Sequence, residues 1–305
     1  MPETATQNPF APAIYELKKE RSVRFAHWGT FGISILLLLP VVAILAMITI
    51  NAWPVISWSY LTNDVTKSGA AGGIWGPLIG TFYLTLLCLI IVAPIGILAG
   101  IYLTEYAPDN KFTRSIMVAV TSLAGVPSIV HALFGLGAFI GAMDMQKGML
   151  TAAMTLSVMT LPVIITSTRE ALAGVPRNFR EACWNLGASR WQTIRTIVLP
   201  NSFGGILTGV ILVIARAAGE TAPIMFMGAV LWVPIASEGM ERLAPYGINE
   251  EFMAMSNHLN LICKDIPGMS SGMKFGSAFI LLAMILAING AASVLRSRLR
   301  RRKRW

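Results

Sequence analysis

The sequence predicts an all-α, polytopic membrane protein with six transmembrane helices. Of its 305 residues, 55% are hydrophobic and only 13% are charged; a soluble domain carries roughly 25% charged residues. The apolar residues also fall into runs as long as the roughly 20 residues a helix needs to cross a bilayer. Five runs contain no Asp, Glu, Lys or Arg: 29–50, 77–103, 115–142, 149–168 and 275–295. A sixth, 203–231, contains only Arg216 and Glu220. Backbone groups in lipid must be satisfied within their own segment, so these runs are expected to be helices. The short alternating segments of a transmembrane barrel do not occur. Together these features exclude a disordered chain, a coiled coil and an ordinary soluble enzyme.

Residues 1–28 read as a polar N-terminal segment with His27 and Trp28 at the membrane interface and a frayed end up to Pro12. The first apolar run lacks a small-residue cleavage site, so it is expected to stay as a span rather than act as a signal peptide. Six spans place both termini on one side. One face would carry Lys18, Lys19, Arg21 and Arg24, Lys111 and Arg114, Arg169, Arg177, Arg180, Arg190 and Arg195, and the basic tail 296–305, in all 18 Lys and Arg. The other would carry five: Lys67, Lys147, Arg242, Lys264 and Lys274. The positive-inside rule therefore puts both termini in the cytoplasm. The net charge of +9 is then mainly a topology signal and does not point to nucleic acid. The tail RSRLRRRKRW also suits anionic membrane lipid.

Within the spans, three pairs of glycines are four residues apart: Gly96/Gly100, Gly137/Gly141 and Gly205/Gly209. Such pairs let helix backbones approach closely, or leave backbone exposed along a path. Pro127 interrupts the third span and removes one helical hydrogen bond. The Pro127–Ser128 step either lines a path or bends the helix around a neighbour, and Pro94 in the second span raises the same choice. In the fifth span Arg216 lies near the middle of the apolar run. An arginine at the bilayer centre costs about 2.5–3.5 kcal/mol on insertion scales, which predicts a partner or a water-filled cavity. Glu220 is four residues on and is expected on the same helical face, paired with Arg216. Gly205, Gly209, Leu212, Arg216, Gly219 and Glu220 form one stripe expected to face protein.

The loop 169–200 reads as a helix–hinge–helix elbow. Pro176 suits a helix start, and Arg177 and Glu181 share a face. Phe179, Ala182, Cys183 and Leu186 form an apolar stripe at helical spacing. Gly187 can end the first helix in the left-handed conformation, Ser189 can cap a second, and Pro200 is expected to mark the turn into the fifth span. Such an amphipathic elbow suits docking into a groove of another protein, or a connector lying on lipid headgroups.

No lysine follows a glycine, so there is no Walker A motif and no nucleotide site of the P-loop type. HExxH is also absent. Gly135, Gly137 and Gly141 only loosely resemble a dinucleotide fingerprint and lie inside a span. Cys88, Cys183 and Cys263 fall in different segments, so no disulfide is expected. His27, His131 and His258 are scattered, and no metal-ligand spacing occurs. No cofactor is expected.

Glu181-Ala182-Cys183, Gly187, Ile197 and Leu199-Pro200 stand at the spacing of the EAA signature, which this stretch resembles. That signature marks the permease subunits of ABC importers, here with Cys183 in place of a small residue. GGIWGPLIGT at 72–81, IYLTEYA at 101–107, GVPSIV at 125–130, LFGL at 133–136 and RAAGETAP at 216–223 narrow the resemblance to phosphate-importer permeases of the PstA type. It covers about two thirds of the chain. His131 and Ala132 depart from the aromatic residue and glycine usual after PSIV, and the segment 232–274 departs more widely.

The resemblance implies the type I ABC-importer permease fold, a bacterial inner membrane location and no enzymatic activity of the chain itself. It implies that Arg180, Glu181, Ala182, Gly187, Ile197, Leu199 and Pro200 belong to a coupling helix that docks on separate ATPase subunits. A second homologous permease subunit and an extracytoplasmic phosphate-binding protein are the other implied partners. The substrate path is expected to involve Arg216, Glu220, Thr221, Pro127 and Ser128. A guanidinium matches phosphate oxygens with two parallel donors, whereas a fixed Arg216–Glu220 pair would only lock helix register. Arg169 and Arg180 would sit at the cytoplasmic mouth. Sulfate or molybdate in place of phosphate, and an ion-coupled secondary transporter using Glu220 as proton carrier, are the alternatives.

Overall fold

The computed structural model describes residues 14–66, 72–235, 239–264 and 270–301. The expected frayed end at 1–12, Lys67 and the last residues of the basic tail lie outside the described residues. Among the described residues the chain is helical, with only isolated bridges between Val65 and Gly72 and between Ala229 and Phe252.

The chain divides into two units, 1–51 and 52–305. The described residues of the first unit belong to one helix, α1 (Ile14–Ala52). From Gly29 onward it is apolar around most of its circumference, the pattern of a helix solvated by lipid. Its hydroxyls return to its own backbone: Thr30 Oγ1 donates to the Ala26 carbonyl, Ser34 Oγ to Thr30 and Thr49 Oγ1 to Leu45.

The second unit is built around α6 (Met149–Ala173), which packs between α3 (Trp75–Ile101) and α9 (Leu199–Gly219). Leu84, Cys88 and Val92 of α3, Leu156 and Met159 of α6, and Val213 and Ala217 of α9 share one buried core. Two of the three glycine pairs make this close approach possible. On one side Gly96 meets Ile164 and Gly100 meets Thr168; on the other Gly205 meets Ala171 and Gly209 meets Ser167. A β-carbon at any of the four would collide with α6. The third pair packs differently: Gly137 has no neighbouring side chain, and Gly141 meets only the Leu136 carbonyl of its own turn. Most polar side chains buried in α6 are satisfied locally, with Thr168 Oγ1 the exception. Thr155, Ser157 and Thr160 each donate to the carbonyl four residues back, as a low-dielectric interior requires.

The remaining elements attach to this core. A short α2 (Trp58–Thr62), capped by Ser57, precedes α3. After α3 a π-helical turn, Tyr102–Tyr106, ends the second apolar run. Then come α4 (Lys111–Ala124), capped by Asn110, and α5 (Ser128–Gly135), which continues through a π-helical segment, Leu136–Ala142. The elbow holds α7 (Arg177–Asn185) and α8 (Arg190–Thr193). Past α9 lie α10 (Ala222–Met227), α11 (Met255–Lys264) and the long α12 (Ser271–Arg301).

Three expectations change. The third apolar run is not one kinked helix: α4 and α5 meet at 104°. Gly125 follows the last turn of α4, and Pro127 disfavours helical backbone at the residue before it, so three residues turn the corner. Met117 of α4 receives Arg169 near the C-terminal end of α6, while Gly135 of α5 touches Thr155 nearer its N-terminal end. The bent pair therefore contacts α6 toward both of its ends. The fifth run is also broken, because α9 ends at Gly219 and α10 begins at Ala222. Pro223 explains this break: its ring would clash with the carbonyl four residues back, that of Gly219. Pro200, by contrast, makes no turn. The chain is helical without interruption from Arg190 to Gly219. A π-helical turn, Ile194–Val198, precedes Pro200 and sends the Leu199 N–H to the Ile194 carbonyl, and the widened turn admits the proline ring.

Candidate functional site

The end of α9 carries the charged pair. Arg216 stands in the last turn of the helix, and Glu220 has already left it with extended backbone (φ −73°, ψ 138°). Arg216 Nε nonetheless reaches Glu220 Oε1 at 3.3 Å, with the two side chains 38% and 19% exposed. The i, i+4 spacing thus brings the pair together across a helix end rather than along one helical face. Glu220 is held from behind: its carbonyl accepts a hydrogen bond from Ser256 Oγ of α11 at 2.7 Å. Among the described residues no protein acceptor engages the two terminal nitrogens of Arg216. The guanidinium is anchored at one nitrogen, and its terminal donors remain available to an anion. Of the predicted stripe, Gly205 and Gly209 face α6, Gly219 approaches Ile285 of α12, and Leu212 is exposed. The stripe therefore does not face protein along its whole length.

Thr221 fills the break as a half-buried residue, and Pro223 is buried in the first turn of α10. On the other broken span Pro127 is exposed at the bend, and Ser128 opens α5, half-buried. Because α5 packs on α10, the helices that follow the two breaks are neighbours. No hydrogen bond joins Ser128 to the Arg216–Glu220 pair among the described residues. His131, one turn into α5, is buried with Nδ1 3.3 Å from the Pro127 carbonyl and Nε2 without a partner.

The elbow has the expected hinge. Gly187 adopts φ +82°, a left-handed conformation that L side chains rarely take. Ser189 Oγ accepts the Gln192 N–H and Gln192 Oε1 accepts the Ser189 N–H, a reciprocal capping box. Glu181, Ala182, Gly187 and Pro200 are exposed, while Ile197 and Leu199 are half-buried. Trp184, Leu186 and Trp191 add large exposed apolar surface. The predicted apolar stripe of α7 is thus largely presented outward.

Arg180 is the exception and corrects an expectation. It is neither part of the outward face nor free at a channel mouth. It is buried, donating from Nη2 to Glu105 Oε1 at 2.7 Å and from Nε to Glu105 Oε2 at 3.2 Å. It also donates to the carbonyls of Val175 and Leu172. These acceptors draw the guanidinium inward despite the apolar packing of Ile101, Leu172, Val175, Ile194 and Val198 around this corner. Glu105 is the residue that reading the sequence overlooked. It is the only acidic residue of IYLTEYA, at the end of an apolar run, but nothing in the sequence links it to an arginine 75 residues away. Arg169 Nη1 lies against Met117 Sδ, and its buried Nε has no partner. No group of three or more His, Cys, Asp or Glu is placed to hold a metal among the described residues.

The fold is that of type I ABC-importer permeases. The chain aligns with a crystal structure described as a bacterial alginate ABC transporter in complex with alginate pentasaccharide-bound periplasmic protein. That match has a TM-score of 0.59 over 95% of this chain and 97% of the other, at 12% identity. An inward-facing structure of the MetNI methionine ABC transporter aligns with a TM-score of 0.53 over 74% of this chain and 94% of its own, at 17% identity. Residues 93–305 match the binding-protein-dependent transport system inner membrane component family, and the chain belongs to that family.

Curated relatives fall in the same class. The chain is 29% identical over 98% of its length to the phosphate transport system permease protein PstA 1 of Mycobacterium tuberculosis H37Rv, covering 96% of that protein. It is 36% identical to the PstA protein of Mycobacterium leprae over 62% of this chain and 64% of that one. The probable ABC transporter permease protein YqgI of Bacillus subtilis is 34% identical over 65% of this chain and 68% of its own length.

Proposed function

We propose that this protein is a permease subunit of an ATP-driven importer of inorganic phosphate in a bacterial inner membrane. The observation that carries the reading is the Arg216 guanidinium, tied to Glu220 through Nε alone at 3.3 Å, with its terminal nitrogens unclaimed by protein. Phosphate entering a low-dielectric path loses water, and a planar fork of donors replaces that hydration better than a point charge does. Glu220 holds the cation while the path is empty and keeps it from closing on some other carboxylate. Thr221 adds a hydroxyl at the break, and Pro127 and Ser128 supply the facing bend of α4 and α5. The names of the relatives support phosphate over sulfate or molybdate.

In this reading both termini lie in the cytoplasm, and the outward face of the elbow, with Glu181, Ala182, Gly187, Ile197, Leu199 and Pro200, docks on a separate ATPase subunit. A second, homologous permease subunit completes the path, and an extracytoplasmic phosphate-binding protein delivers the anion. The chain itself makes and breaks no covalent bond. The test is uptake of labelled phosphate by cells that lack this protein and other phosphate importers, with and without its gene restored. Restoration of uptake that excess sulfate does not compete supports the reading. Uptake that sulfate abolishes, or no restoration, overturns it.

A further inference from the structure

The buried Arg180–Glu105 pair takes no part in the anion path. Arg180 makes four hydrogen bonds that tie together three pieces of the chain. Two go to the Glu105 carboxylate, in the π-helical turn that ends α3, at 2.7 and 3.2 Å. One goes to the Leu172 carbonyl in the last turn of α6 at 2.9 Å, and one to the Val175 carbonyl ahead of α7 at 2.6 Å. The two charged side chains are only 10% and 8% exposed. Paired donors on paired acceptors fix angle as well as distance, and breaking a buried pair leaves an uncompensated charge. This is therefore a stiff joint, unlike the exposed pair of Arg114 with Asp109, whose side chains are 73% and 79% exposed.

Its position gives the joint a task. Glu181, Ala182, Trp184 and Leu186 of the elbow face outward, while Arg180 turns the other way, into the ends of α3 and α6. We propose that the Glu105–Arg180 pair is the joint that converts movement of α7 into movement of α3 and α6, with Glu105 as a positioning residue for coupling. This rests on the reading of the chain as an ATPase-coupled permease.

The experiment uses the complete transporter in vesicles, carrying Glu105→Gln or Glu105→Asp. Three quantities are measured: ATPase subunit retained on purification, ATP hydrolysed, and phosphate moved per ATP. Glu105→Gln keeps the shape and removes the charge. It should retain the ATPase subunit at the wild-type level while phosphate moved per ATP falls by roughly tenfold, the factor expected for loss of a charge-assisted hydrogen bond. Glu105→Asp keeps the charge on a shorter stem and should recover part of the loss; it also serves if the glutamine variant fails to insert. A wild-type ratio of phosphate to ATP in Glu105→Gln overturns the joint. So does loss of uptake that merely tracks loss of the ATPase subunit, because the pair would then only fold the docking loop. Failure of the wild-type transporter to move phosphate or retain an ATPase would instead count against the underlying reading.

Discussion

Because Glu220 engages Arg216 through Nε alone, shortening or neutralising the cation should act on transport rather than on assembly. Arg216→Gln should lower phosphate uptake by roughly tenfold or more, the scale of a lost hydrogen bond to a charged group, with ATPase co-purification unchanged. Arg216→Lys should also be impaired, since an ammonium lacks the planar fork. Full uptake in either variant would leave the pair a helix-end tie. A second residue is tested by pH. His258 of α11 is buried with Nδ1 unpartnered, and desolvation pushes it down from 6.5 to about 4. Between those values the unfolded chain binds a proton that the folded one resists, so stability should fall as pH drops from 6.5 toward 4. The loss should be on the order of 1–3 kcal/mol. Melting of the purified protein at pH 7 and pH 5 checks this, and His258→Leu should flatten the difference. The partner of Arg216 was legible from four-residue spacing alone. The partner of Arg180 was not, because contacts between distant segments leave no local signature.

At the scale of elements, glycines decide what packs and what hinges. A side chain at Gly209 would run into Ser167 of α6. Gly209→Leu should therefore destabilise the α6–α9 contact by about 1–3 kcal/mol, the usual effect of overpacking, and lower the melting temperature in detergent. The same change at Gly137, which meets no neighbouring atoms, should leave the melting temperature of the isolated chain unaltered. Both positions carry the same small-residue spacing, so the pattern marked candidates without showing which of them face a helix of this chain. The hinge is different. Gly187 sits at φ +82° with open space around it, so its requirement is conformational rather than steric. Gly187→Pro, which cannot take that angle, should leave insertion intact but release the ATPase subunit on purification. Normal retention would remove the hinge from the docking surface.

For the molecule as a whole, helical class and apolar runs could be read directly, because hydropathy is a property of contiguous residues. The breaks within the runs were harder to see. Pro127 marks an interruption in the sequence, yet a bend of 104° depends on how α5 settles against α6 and α10. Pro223 ends α9 by clashing with a carbonyl four residues away, while Pro200 passes unnoticed because the widened turn before it makes room. Proline alone therefore predicts neither outcome; the neighbouring turn decides. The passage through Pro200 also leaves two distant places on one continuous helix. Arg190 to Gly219 is one run of 30 residues, about 45 Å long at 1.5 Å per residue, with Trp191 near one tip and Arg216 near the other. Had the chain broken at Pro200, these two residues would stand on separate helices; here one helix carries both.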